Sequence, residues 1–381
     1  MKRKIFLVFV LCSFLCRIFA QPEEFKISYE EPPLQESDKV GFNEVWAWVV
    51  TGNEHSFSNE KSVTDLCYFS ADVNSYGEIT SFPEAAVFKN FNGRKHLVVT
   101  CSGYALTHSV LDPKGSVRSK IISSIVKNSR DYDGVQIDFE TILSKDGENF
   151  LKFLSILKKK LPKNKMFTIC VPARNKFVKN DIFDYKLIEP LADRIIIMAY
   201  DQHWSTSEAG PVAGMDWCKR ILEYSQTVIP PQKLVMGLPF YGRSWQNTSY
   251  NKAWLNSGVN RIIAENQVTE IKRENNVPFA EFETTVKVKL WWDDTFSLVK
   301  RLQMYKENYV DKVAFWRIGQ EEPSFWNWIY ILPEELETKI DELESSSDES
   351  LKTEFSKSAE LERDDLIPAE DFLLQDETLL P

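Results

Sequence analysis

Residues 131–140 read Asp-Tyr-Asp-Gly-Val-Gln-Ile-Asp-Phe-Glu. Val135, Ile137 and Phe139 alternate with Gln136, Asp138 and Glu140, the period of two that marks a strand. The polar set is acidic and ends on a carboxylate. Helical patterns border the stretch, so the strand is expected in a parallel sheet, buried on both faces. Ionisable groups are rarely buried without a partner or a task. An antiparallel strand with one wet face would also explain the alternation, and the neighbouring sequence argues against it.

Three strand-like runs precede this one: Glu44–Val50, Asp65–Phe69 and His96–Cys101. Four follow it: Met166–Val171, Arg194–Ala199, Lys233–Pro239 and Lys312–Trp316. Between them lie helical spacings. Val117, Ile121, Ile122, Ile125 and Val126 form one, beginning at Ser116. Phe150, Phe153, Leu154 and Leu157 form another, closed by Lys158 to Lys160 and Pro162. Trp217 to Tyr224 and Phe296 to Tyr305 continue the series. Eight strands alternating with helices over roughly 290 residues predict an α/β chain folded as a (β/α)₈ barrel. An open doubly wound sheet is the alternative, weakened by the absence of any Gly-x-Gly-x-x-Gly or P-loop. Between the seventh and eighth strands, residues 244–290 exceed an ordinary loop. Trp254 to Val268 could be helical and Glu281 to Trp291 extended, giving a small insertion over one rim.

The ends differ in kind. Met1 to Ala20 carry a basic start (Lys2, Arg3, Lys4), an apolar run from Ile5 to Cys16 and a cleavage position after Ala20. This predicts a signal peptide, export to the periplasm, cell surface or medium, and no membrane span in the mature chain; an uncleaved anchor is the alternative, and a lipid-modified Cys16 a weaker one. Residues 21–43 are polar, Pro-containing and aperiodic, the pattern of a linker. The barrel is expected over residues 44–333. Residues 334–381 hold 17 Asp or Glu against 4 Lys or Arg, a net of −13 against −10 for the whole chain. The acidity therefore belongs to this tail, which is expected to be disordered.

Composition narrows the function. Hydrophobic residues make up 43% and suffice for a large core; aromatic residues make up 13%, with 11 Trp. Such enrichment suits a carbohydrate site as well as a core. Four of the six Cys follow the signal peptide: Cys67, Cys101, Cys170 and Cys218. An exported compartment permits disulfides, and Cys67 with Cys101 could be neighbours. No Cys-x-x-Cys pair or Cys/His cluster suggests a metal, so no metal and no cofactor is expected. No basic patch interleaved with aromatics points to nucleic acid. A monomer is expected.

Barrel enzymes gather functional residues where strands end at the C-terminal face. Glu140 sits at such an end. Tyr200 and Asp201 follow the sixth strand, Tyr241 and Arg243 the seventh, and Trp316 with Arg317 end the eighth. Each alone could be structural: a buried Tyr or Trp is usually core, and Arg243 could serve an ion pair. Together they are harder to dismiss. Trp46 in the first strand completes the candidate set.

The fourth strand resembles the catalytic signature of family 18 glycoside hydrolases, the chitinase-like enzymes, through Asp133, Gly134, Asp138 and Glu140. Gln136 stands where that family usually has the first of its paired Asp. Met198-Ala-Tyr-Asp201, Pro239-Phe-Tyr-Gly-Arg243 and Phe315-Trp-Arg317 match its later motifs, and Ser102-Gly103 part of another. His203-Trp204 and Gly210-Pro211 look most like spore-germination and cell-wall members. The resemblance covers about Glu44 to Pro333. It implies a substrate-assisted, retaining hydrolase of N-acetylated glycans. Glu140 would be the acid, Asp138 and Tyr200 would steer the substrate's acetamido group, and Trp316 would floor the sugar. Asp201, Tyr241, Arg243 and Trp46 would bind substrate. Two carboxyls at i, i+2 on one strand face make sense without the analogy, since each disfavours ionisation of the other. The competing reading is a sugar-binding protein on the same barrel without turnover; the presence of Glu140 favours the enzyme. An interaction protein using its acidic tail is a third reading, with less behind it.

Overall fold

The structure, a computed structural model, describes residues 29–246, 252–283 and 287–333. The expected signal peptide, residues 21–28 of the expected linker and the acidic tail lie outside the described residues.

A short strand, β1 (Val40–Phe42), leads into the barrel. The barrel strands that follow are β2 (Glu44–Val50), β3 (Asp65–Asp72), β4 (Arg94–Thr100), β5 (Gly134–Asp138), β6 (Met166–Pro172), β7 (Arg194–Met198) and β8 (Leu234–Pro239). The insertion contributes β9 (Tyr241–Gln246), β10 (Lys252–Leu255), β11 (Lys272–Glu274), β12 (Val277–Glu283) and β13 (Lys287–Trp291). The last barrel strand is β14 (Lys312–Trp316), and β15 (Ile329–Ile331) follows it. Helices α1 (Tyr104–Leu111), α2 (Val117–Asn128), α3 (Gly147–Lys160), α4 (Tyr185–Ile188) and α5 (Met215–Gln226) alternate with the strands. Helix α6 (Asn256–Glu265) lies in the insertion, and α7 (Thr295–Glu307) precedes β14.

Strands β14-β2-β3-β4-β5-β6-β7-β8 close a barrel, every neighbouring pair parallel. The alternation seen in the sequence has a direct cause here. Val135 and Ile137 of β5 face the helices and join the large cluster that includes Ile121 and Ile125 of α2 and Phe153 and Leu157 of α3. Gln136 faces the barrel interior, where its amide meets Trp48 of β2 and Cys67 of β3. That interior holds a second apolar cluster of Trp46, Trp48, Cys67, Val98, Cys170, Ile196, Val235 and Ala314. Both faces of each strand are thus buried, as a parallel barrel requires. All four described cysteines are buried and free, so no disulfide links Cys67 to Cys101.

The structure departs from the sequence reading in three places. Residues 40–42 are not linker: β1 pairs in parallel with β15, and Phe42 is fully buried. Strand β3 runs on to Asp72 past an irregularity between Tyr68 and Ala71, where Ser70 interrupts the apolar run. Helix α1, absent from the sequence reading, starts behind Gly103, whose φ of 91° lies in the left-handed region that glycine tolerates.

The insertion is a five-stranded antiparallel sheet, β10-β9-β13-β12-β11, backed by α6. It has its own small core of Val259, Ile263, Val268, Ala280, Leu290 and Trp292. The stretch expected to be extended, Glu281–Trp291, falls on β12 and β13. Helix α7 begins on a capping box: Asp294 Oδ1 accepts the Ser297 amide at 2.8 Å, and Ser297 Oγ accepts the Asp294 amide at 3.1 Å. No helix among the described residues is long and apolar enough to cross a membrane.

Candidate active site

A cavity of about 660 Å³ opens at the C-terminal ends of the barrel strands. Asp138 and Glu140 lie on it, together with Tyr200, Asp201, Tyr241, Arg243 and Trp316. Seven of the eight residues singled out in the sequence therefore meet in one place. Trp46 does not. It lies fully buried near the start of β2, its indole donating to Glu44 Oε2 at 2.9 Å and its ring 4.5 Å from that of His96. It is a core residue of the barrel, not part of the cavity wall.

Asp138 ends β5 and is buried; its Oδ1 has no hydrogen-bond partner among the described residues. Burial, with the neighbouring charge of Glu140 added, pushes its carboxyl up to about 8. Glu140, two residues on, is exposed to the cavity, and no described residue hydrogen-bonds its carboxyl. Loss of hydration, then the charge of Asp201, raises it above the ordinary carboxylate range. These are two carboxyls without a counter-charge, both biased toward the protonated form.

The opposing wall is tied together. Asp201 follows β7 in a left-handed conformation, φ 57°, uncommon for a residue with a side chain. Its Oδ1 accepts Tyr241 Oη at 2.6 Å and Arg243 Nη2 and Nε at 2.6 and 3.0 Å. Tyr241 and Arg243 belong to β9, so the insertion's first strand clasps the loop after β7. Tyr200 sits between the two walls, with its ring edge-on to Tyr241 at 6.4 Å. Burial holds its phenol protonated, and no described residue hydrogen-bonds its hydroxyl. A Cβ at Gly237 of β8 would come within 3.1 Å of that ring and 2.6 Å of Ile197 O, so glycine here makes room for Tyr200.

Aromatic rings complete the cavity. Trp316 ends β14, and Phe69 of β3 stands edge-on to it at 4.8 Å. The Phe69–Ser70 and Trp316–Arg317 peptide bonds are cis. Trp204, Trp217 and Arg174 also line the cavity. Arg174 is held by Asp181 through Nε at 2.5 Å and Nη2 at 3.0 Å, and by Ala173 O through Nη1 at 3.0 Å. Phe69, Arg174, Trp217 and Gln320 are cavity residues that the sequence reading did not single out. Phe69 and Arg174 close and follow strand-like runs, a signal available in the sequence. Trp217 sits on α5 and gave none beyond its residue type.

A family model described as glycosyl hydrolases family 18 matches residues 40–321. A cortical fragment-lytic enzyme of Bacillus anthracis is 26% identical over 286 residues, 69% of this chain and 66% of that protein. The chain thus spans just under two thirds of that relative's length. Among solved structures, the spore cortex-lytic enzyme SleL of Bacillus cereus superposes with a TM-score of 0.69 at 21% identity, covering 79% of this chain and 76% of that one. A chitinase of Chromobacterium violaceum gives a TM-score of 0.67 at 20% identity, over 75% of this chain and 97% of that one.

Proposed function

The chain belongs to glycosyl hydrolase family 18, and from that premise we propose that it is an exported glycosidase cleaving β-1,4-linked, N-acetylglucosamine-containing glycans by a substrate-assisted, retaining mechanism. The observation that carries this reading is the pair at the end of β5. Asp138 and Glu140 stand in an aromatic-walled cavity with no cation of their own. The two cavity guanidinia are committed elsewhere, Arg243 to Asp201 and Arg174 to Asp181.

The chemistry follows from protonation. Glu140, raised and open to the cavity, protonates the glycosidic oxygen as general acid. The substrate's own 2-acetamido oxygen then attacks the anomeric carbon, giving a cyclic oxazolinium ion and releasing the leaving sugar. Asp138 accepts the acetamido N–H; its buried Oδ1 lacks any such donor in the free protein. The bound N–H and the positive charge developing on the ring favour the ionised form of Asp138, which then offsets that charge. Tyr200 donates to the attacking oxygen. Trp316 supports the apolar face of the sugar. Glu140, now ionised, takes a proton from water, which opens the oxazolinium with a second inversion and restores the β configuration. The names of the relatives favour a cell-wall glycan of the cortex type over chitin as the substrate. Export, by the signal peptide over residues 1–20, would bring the enzyme to such a polymer.

The decisive experiment offers the protein matched acetylated and deacetylated β-1,4 oligosaccharides and cortex-type peptidoglycan fragments. Products are weighed by mass spectrometry and the nascent anomer is read by proton NMR. Cleavage of acetylated substrates with a β product is expected. An α product, or equal rates on the acetylated and deacetylated pair, would overturn the mechanism. Tight binding without any cleavage would make the protein a lectin.

A further inference from the structure

Below Asp138 and Glu140, their row continues with Gln136, fully buried in the barrel interior. The amide of Gln136 is fully used. Its Oε1 accepts the Trp48 indole N–H at 2.7 Å, and its Nε2 donates to Thr168 Oγ1 at 3.3 Å and to Cys67 Sγ at 3.4 Å. Chemistry fixes this orientation. An indole nitrogen only donates, so the amide oxygen must face Trp48 and the two amide hydrogens must point away from it. One side chain thereby ties β5 to β2, β3 and β6 at a single level.

The tie leads to the cavity. Trp48 packs against Trp316 with ring centroids 5.8 Å apart, and Trp316 is also braced by Phe69. Trp316 and Phe69 line the cavity, whereas Gln136 lies one ring beneath it. Neither amide hydrogen goes to Asp138, whose Oδ1 is left unpartnered.

We propose that Gln136 is a positioning residue: its amide holds the Trp48 indole, and through it the Trp316 floor, while giving Asp138 no hydrogen bond. The inference rests on the glycosidase reading only for its kinetic readout. The titratable groups coupled to Asp138 are Glu140 two residues on, Cys67 on β3, Cys170 on β6 and Tyr200 after β7, and Asp201 after β7 acts in turn on Glu140. Burial keeps both thiols and the phenol protonated, so Glu140 alone titrates against Asp138. With a neutral amide beneath them, no third carboxyl of their own row adds to the acid limb of Asp138 and Glu140.

Two substitutions separate the roles. Gln136→Leu removes the acceptor for Trp48 and adds no charge. Gln136→Glu keeps an acceptor and adds a carboxyl to the row. Three readouts apply to the full chain. They are the Trp48 indole N–H resonance (assigned as the signal lost in Trp48→Phe), the affinity for tri-N-acetylchitotriose by tryptophan fluorescence, and the pH profile of kcat on a fluorogenic chitobioside. Gln136→Leu is expected to shift the resonance and weaken affinity by about 10-fold, with the pH midpoints unmoved, since a displaced positioning group costs binding and rate together. Gln136→Glu is expected to hold the resonance in place and move the acidic limb. Adding Trp48→Phe to Gln136→Leu should cost nothing more, because both break one interaction.

An unshifted resonance and unchanged affinity in Gln136→Leu would overturn the proposal. Full additivity with Trp48→Phe, or an equal displacement of the acidic limb by both substitutions at Gln136, would do the same. Should Gln136→Leu fail to fold, Gln136→Glu and Trp48→Phe carry the test: loss of the indole resonance in the former refutes it. A protein that binds the trisaccharide without turnover would fail the glycosidase reading, while the resonance and the affinity still decide this one.

Discussion

The two mouths of the barrel use the same residue types in opposite ways. At the N-terminal mouth, Glu44, Asp65, Arg94 and Arg194 are the first residues of β2, β3, β4 and β7. Glu44 takes Arg194 at 2.6 Å and Arg94 at 2.9 Å; Asp65 takes Arg94 at 2.6 Å and His96 Nε2 at 2.7 Å. Burial alone would raise both carboxylates, but the hydrogen bonds and charges of these partners outweigh it and hold both below their ordinary values. At the C-terminal mouth both carboxyls are raised, Asp138 by burial and then the charge of Glu140, Glu140 by loss of hydration in the cavity and then the charge of Asp201, with no cation among the causes to oppose them. A buried charge that is paired secures a fold; one left unpaired is reserved for a ligand. The difference supports placing the proposed chemistry at the C-terminal mouth.

The comparison can be broken by removing one charge at a time. The largest effect is expected from Glu140→Gln, which keeps shape and deletes the proton. Turnover should fall by at least ~10²–10⁴-fold, the usual contribution of a general acid, while sugar binding and Tm hold. Wild-type turnover in this variant would remove Glu140 from its role.

Asp138→Asn should also cripple kcat, since a neutral amide cannot offset positive charge on the intermediate. It carries a second signature in stability. The folded carboxyl titrates near 8 against an ordinary value of 3.8, so between them the folded protein binds more protons than the unfolded one. The stability tied to Asp138 is therefore complete below pH 3.8 and is lost progressively as pH rises through 8. Asn cannot ionise, so the variant should melt higher than the wild type in mildly alkaline buffer. A lower Tm there would contradict the sign.

Asp65→Asn at the opposite mouth should reverse the pattern, with kcat kept and stability lost. Breaking a fully buried ion pair costs ~3–5 kcal/mol; Arg94 is 40% exposed and keeps Glu44, so about 2–4 kcal/mol is expected. Asp65 and Glu44 are depressed in the fold, so their stabilisation is present above their ordinary values of 3.8 and 4.5 and is lost as pH falls through the lower folded ones. Urea midpoints across acid pH should show a shallower acid limb in Asp65→Asn. The smallest effect is expected from Tyr200→Phe, which would delete the one hydrogen bond proposed to reach the attacking oxygen. A ~3–10-fold lower kcat at unchanged affinity would match the ordinary worth of such a bond; a loss in affinity alone would make Tyr200 a plain binding residue.

Much of this contrast was legible in the sequence, for a physical reason. Every parallel strand is apolar on both faces, so the polar interruptions Asp138 and Glu140 stood out from Val135, Ile137 and Phe139. The same rule explains the misreading of Trp46. An inward ring near the start of a strand and one at its end have the same local pattern, and only depth along the barrel axis separates Trp46 from Trp316. Helix α1 was missed because Tyr104–Leu111 is too short for periodicity to declare itself. Strand β1 was missed because three residues carry no period at all. Arg174 and Trp217 meet the site through a loop and a helix whose approach depends on tertiary packing. Gln136 was read as a missing carboxyl; its hydrogen bonds to Trp48, Thr168 and Cys67 depend on three other strands and could not be read from its own.

On its N-terminal side, the insertion is joined to the barrel by a single residue. Phe240 alone separates Pro239 of β8 from Tyr241 of β9, and its ring is stacked on Phe315 at 4.8 Å and packed against Phe325 and Trp326. For anyone recombining or trimming this protein, the boundary drawn by length is the wrong one. Excising residues 244–290 would spare Tyr241, Arg243 and the Trp291 that pairs with Arg243, yet strip away the rest of β9 and β13 on which that pairing rests. The Asp201 clasp would then hang from an unsupported strand stub. A workable graft would keep β9 and β13 as native stem and exchange only the outer strands and α6, so that the host wall survives whatever crown is placed on it.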